Sequence, residues 1–183
     1  SHLAREYPES AELARQRPGM RLVLTIGHSD TLNNAVEKGD LDMAVTPSFN
    51  DVSSSCVQTE LSDDWMRVAA RAKHPLFSLS KLSLQDISDC SWLLPSRQSV
   101  SRRLLTNILE QSGYPAPKVV VEADYRSDAA MGLIEGTDLL TIVPASVLRN
   151  WSGRIDTLPL ATLEIRRTLV LLTRAQTVWS PLM

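Results

Sequence analysis

Aliphatic runs too short to be helices alternate along this chain with segments of helical period, and that alternation limits the fold more than any single motif. Residues 21–26 (Arg-Leu-Val-Leu-Thr-Ile) read as a buried strand. Ser29 or Asp30 can cap a following helix, with Leu32, Ala35 and Val36 on one face and Gly39 at its C′ position. Residues 41–45 then form a second strand. Strand, helix and strand within about twenty-five residues is the size of a right-handed βαβ unit with parallel strands.

The same order recurs after His74. A short helix over 83–87 precedes a strand over 90–94. A helix over 99–111 turns Leu104, Leu105, Ile108 and Leu109 inward, and Gly113 ends it. A strand over 118–123, a helix over 127–135, a strand over 139–143 and a short helix over 145–150 follow. Further strands are expected over 65–70, 155–158 and 165–173. Residues 3–17 read as a helix broken near Pro8, and residues 47–63 as a Ser- and Asp-rich loop with one short edge strand near Val57. This order predicts an α/β chain of two lobes joined by two crossing strands, near 66–73 and 165–173. The first lobe would take residues 1–72 plus 164–183, and the second residues 73–163.

Composition excludes several classes. A net charge of −2 on 183 residues argues against nucleic-acid binding by this piece, because phosphate affinity comes from clustered Lys and Arg. Cys56 and Cys90 stand apart without ligand-like neighbours, so no zinc site, other metal, cofactor or disulfide is expected. No export signal or bilayer-length apolar run is visible, which predicts a cytoplasmic protein without membrane contact.

Candidate chemistry gathers at predicted strand ends, where open α/β sheets hold ligands. Ser96, Arg97, Gln98 and Ser99 follow the strand over 90–94, and their hydroxyls, guanidinium and helix-start N–H groups suit an anion. The plainer reading is a polar helix start at which Ser99 caps. Thr46 and Pro47 follow the strand over 41–45, and Arg126, Ser127 and Asp128 open the helix after the strand over 118–123, with Met131 one turn further in. His28-Ser29-Asp30 holds the residue types of a hydrolase triad, but neighbours on one short turn cannot adopt that geometry. No catalytic residues are expected.

Three features in order carry a resemblance: residues 32–45 (LNNAVEKGDLDMAV), Lys73-His74-Pro75-Leu76 ahead of an aliphatic segment ending in Asp86-Ile87, and residues 133–144 (LIEGTDLLTIVP). Together they resemble the effector-binding domain of LysR-type bacterial transcriptional regulators, over about residues 10 to 181. The resemblance implies a type 2 periplasmic-binding-protein-like fold of two Rossmann-like lobes around a small, often acidic effector. It also implies a homodimer or homotetramer that reaches DNA only through an N-terminal helix-turn-helix domain outside these residues. By position, Thr46 and Pro47 would line the cleft from the first lobe, and Ser96 to Ser99, Ser127, Asp128, Met131, Val143 and Pro144 from the second. The family's opening strand would precede Ser1, its closing helix would follow Met183, and Gly136-Thr137-Asp138 replaces its commoner Gly-x-Gly. A stand-alone solute-binding protein of a transporter is the alternative.

Overall fold

A computed structural model describes residues 12, 15–16, 19, 21, 23–27, 29–48, 55–124 and 127–175. The elements run α1 (Ser29–Lys38), β1 (Met43–Ser48), β2 (Val57–Arg71), α2 (Leu84–Ile87), β3 (Ser91–Leu94), α3 (Val100–Gln111) and β4 (Lys118–Glu122). They continue through α4 (Asp128–Gly136), β5 (Thr141–Pro144), α5 (Ala145–Leu148), β6 (Ile155–Thr157) and β7 (Ile165–Thr173).

β2 and β7 form an antiparallel pair from Val57 opposite Thr173 to Met66 opposite Ile165. β1 lies on the far edge of β7, also antiparallel, with Thr46 opposite Val170 and Ser48 opposite Thr168. From Met66 onward β2 gains β5 on its other edge, and β6 takes up β7's edge from Ala69 to Arg71. β3 and β4 make a separate parallel pair. Leu140 joins that pair to the larger sheet: Leu93 N–H donates to its carbonyl at 2.8 Å and its own N–H donates to Ser91 at 3.0 Å.

Burial follows the strand period. Trp92 and Leu94 of β3 face α3, packing with Leu105 and Leu109 in a core that extends to Met66, Ile142 and Leu163. Leu93 faces the other way, against Met131 and Ile134 of α4. A strand covered on both faces reads as an unbroken apolar run, which is why Trp92-Leu93-Leu94 was legible. A third, smaller core holds Val36 of α1, Ala44 of β1, Cys56, and Val170 and Leu172 of β7.

The structure corrects four expectations. Arg21 and residues 23–26 form no strand, and Val23, Leu24 and Ile26 are more than half exposed, since no strand among the described residues pairs with the segment. The parallel βαβ unit is therefore not formed among the described residues, and β1 takes an antiparallel partner from the far end of the described chain. Residues 57–63 belong to the long strand β2 instead of a loop, since pairing with the apolar β7 outweighs their polar composition, with one irregularity between Glu60 and Ser62. Ser29 and Asp30 are already helical in α1 instead of capping it. Gly39 does end that helix, at a φ of 85° that other residues rarely adopt. Of the expected helix over 3–17, Glu12, Arg15 and Gln16 are helical, and the other positions lie outside the described residues. Both cysteines are free thiols.

Candidate functional site

Parallel pairing brings the carboxyl ends of β3, β4 and the segment around Leu140 to one side. Ala123 N–H donates to Leu94 carbonyl at 3.0 Å, so the turn before α3 and the turn before α4 are neighbours. In the first turn Ser96, Arg97 and Gln98 are exposed, while Ser99 stands at the N-cap of α3 with its hydroxyl 2.9 Å from that of Ser101. In the second, Ser127 caps α4, its hydroxyl accepting Ala130 N–H at 3.4 Å, and Asp128 is exposed in the first helical turn. Arg126 lies outside the described residues. Met131 and Val143 are fully buried among Ala69, Leu93 and Ile134, so their side chains serve the core. Pro144 is buried and ends β5 opposite Met66.

β1 approaches the same region from the other direction. Its carboxyl end reaches the row where Thr168 faces Asp63, and β5 ends at the row of Met66. Between these ends lie two rungs of the β2–β7 pair, Asp64 opposite Arg167 and Trp65 opposite Arg166, and the first of them faces inward. Asp64 Oδ2 accepts Arg167 Nε at 3.1 Å and Nη2 at 2.6 Å, and both side chains are 7% exposed. Ser146 of α5 donates its hydroxyl to the same oxygen at 3.0 Å. The buried pair thus ties the two long strands to the segment that follows β5. By strand alternation Pro47 shares the face of this rung, whereas Thr46, 5% exposed, lies on the opposite face with Ala44 and Val170.

The rungs flanking Asp64–Arg167, Asp63 opposite Thr168 and Trp65 opposite Arg166, point to the other face, where Asp63, Trp65 and Arg166 are exposed. Arg166 grips both oxygens of Asp63 at 2.9–3.2 Å, and Thr168 donates to it at 3.3 Å. The Arg166 hydrogen bond, ahead of its charge, holds the Asp63 carboxyl below the usual value. Asp64, Ser146 and Arg167 were absent from the sequence reading. The signal was available: Asp63-Asp64 and Arg166-Arg167 are charge doublets entering two apolar strands, and with a period of two, one member of each doublet must face inward.

Two landmarks of the sequence touch each other. Buried His74 accepts Leu76 N–H through Nδ1 at 3.1 Å, and its Nε2 lies 3.3 Å from the Asp138 carbonyl. Arg71 Nε donates to the Asp138 carboxylate at 2.7 Å. The turn over 73–76 is thereby pinned to the loop ahead of β5. Nearby, burial first, and then the carboxylates of Asp89, Asp138 and Asp86, push the Cys90 thiol above its ordinary pKa. Among the described residues no group of three or more His, Cys, Asp or Glu could hold a metal ion, and no helix is long and apolar enough to cross a membrane.

The family model described as the LysR substrate binding domain matches residues 10–183. The HTH-type transcriptional regulator GalR of Pseudomonas putida is 34% identical over 173 residues, covering 91% of this chain, and the chain spans 42% of GalR's length. Among solved structures, the CcmR regulatory domain of Synechocystis PCC6803 in complex with 2-PG superposes with a TM-score of 0.79 at 16% identity, covering 97% of this chain and 86% of that one. The BenM effector binding domain with its effector benzoate superposes with a TM-score of 0.71 at 20% identity, covering 96% and 79%.

Proposed function

Because the chain belongs to the LysR substrate binding domain family, with the type 2 periplasmic-binding-like α/β fold of its structural relatives, we propose that it is the effector-sensing part of a bacterial transcriptional regulator. In this reading residues 1–72 plus 164–183 form one lobe, residues 73–163 the other, and β2 and β7 cross between them. The effector lies where the carboxyl ends of β1 and β5 come up on either side of the Asp64–Arg167 rung, and that approach is the observation that carries the reading.

The residues offered there suit a small carboxylate or similar anion. Pro47 closes one side, on the face of the rung, while Thr46 lies on the other face of β1. Ser96, Gln98, Ser99, Ser127 and Asp128, with the N–H groups opening α3 and α4 and with Pro144 below, form the other side. Arg126 supplies countercharge. BenM with benzoate is a relative of this fold holding a carboxylate, which supports the ligand class. Effector binding would favour one lobe arrangement over another by its differential affinity, and so alter how the subunits of a homodimer or homotetramer present their DNA-binding domains. Those domains belong to the rest of the protein, as the greater length of GalR suggests. The matching relatives are regulators, which favours a cytoplasmic regulator over the solute-binding protein of a transporter, and no acid–base constellation supports an enzyme.

Calorimetry with a panel of small carboxylates tests this reading. A binder should lose at least about tenfold in affinity when Ser99→Ala and Ser127→Ala are combined, the scale of lost hydrogen bonds to a charged ligand. An unchanged affinity would remove the site.

A further inference from the structure

α3 begins against electrostatic expectation. Arg102 and Arg103 fall in its opening residues, where unpaired N–H groups already carry partial positive charge, no acidic residue occupies the first turn, and Ser99 provides no side-chain cap. Arg102 is compensated, its Nη1 donating to Glu122 and to the Pro95 carbonyl, both at 2.9 Å. Arg97 and Arg103 form no ion pair among the described residues. Both line a groove of about 720 Å³ that runs along α3 to Ala116 and Pro117, the turn ahead of β4, with Thr106 and Asn107 on its wall and no acidic side chain in its lining.

In a chain of net charge −2, this is a concentration of guanidinium without internal compensation. Like charges held together destabilise a fold unless something offsets them, and departures from local consistency concentrate at functional sites. We propose that the groove is a second anion site, apart from the strand-end cleft, for a small oxyanion carrying two or more charges. A phosphate group and a di- or tricarboxylate share the required chemistry: several acceptor oxygens for the forks of Arg97 and Arg103, with the Thr106 hydroxyl and the Asn107 amide completing the ring of donors. The cleft takes its ligand on the ends of strands; this groove takes one on the flank of a helix.

Titration of the chain with inorganic phosphate and, separately, with citrate, followed by NMR at the Arg97 and Arg103 Nε–H and the Asn107 side-chain amide, tests the assignment. Saturable shifts are expected at these three groups for at least one of the two ions, and the ion that binds identifies the source. Arg97→Gln with Arg103→Gln should weaken that binding by at least about tenfold, as loss of two charge-assisted contacts requires. Asn107→Asp, which sets a carboxylate in the groove with both arginines intact, should weaken it as well. Ser127→Ala, in the cleft, should leave it unchanged. Shifts that never saturate, or that persist in both arginine and Asn107 variants, would overturn the site; loss of binding in Ser127→Ala would return the anion to the cleft and overturn it too.

Discussion

The two halves of this molecule build strands by different means. Around β3 and α3 the parallel strands are short and local in sequence, and β3 is covered on both faces, with Trp92, Leu93 and Leu94 all fully buried. Around β1 and β7 the pairing is antiparallel and distant in sequence, the core is five buried residues, and Met43, Val45 and Val57 remain substantially exposed. The first half is held by packing between neighbours in the chain. The second is held by register, and at its junction with the first it uses a charge pair where a core residue would otherwise sit.

Trp92→Ala should produce the largest loss, about 3–5 kcal/mol by denaturant titration, because a fully buried indole leaves a cavity between β3 and α3. Equal sensitivity of the β1–β7 core would erase the contrast. Asp64→Ala should cost a comparable or slightly smaller amount, about 3–5 kcal/mol, since it strands the Arg167 charge in a 7% exposed position. Asp64→Leu combined with Arg167→Met should recover most of that loss; failure to recover would mean that the pair does more than fill its site. Leu172→Ala belongs lower, about 2 kcal/mol, because the small core can relax toward solvent.

Asp63→Asn, on the exposed rung beside Asp64, should have the smallest effect, and one that depends on pH. The Asp63 carboxyl is lowered from 3.8 by Arg166, so its contribution is present above that value and fades as pH falls through the folded value. Thermal melts of the variant and the parent should therefore differ slightly at neutral pH and converge in acid. A gap that persists in acid would point to a contact other than the ion pair.

The sequence reading succeeded where local pattern and tertiary packing agree. Leu104, Leu105, Ile108 and Leu109 at helical spacing, with Gly113 behind them, define α3 without help from the rest of the chain, and Gly113 indeed adopts a φ of 83°. It failed where a strand's identity is conferred by a distant partner. Residues 57–63 are polar and irregular alone, and become strand because β7 lies beside them; residues 23–26 are apolar and β-branched, and lack such a partner among the described residues. The turns holding Ser96–Ser99 and Ser127–Asp128 were legible because strand–turn–helix order is local. The Asp64–Arg167–Ser146 cluster was not, because its three members come from three separate elements and meet only in the finished sheet.

The pairing of β1 with β7 also dictates an order of assembly. During synthesis β3, α3 and β4 can close on one another as soon as they emerge, since the chain between them is short. β1 emerges earlier and must wait for residues 168–173 before either its backbone ladder or Ala44 and Val36 are covered. β1, made earliest among the described strands, is among the last to find its neighbour, and meanwhile its edge stays open to any other chain that arrives first.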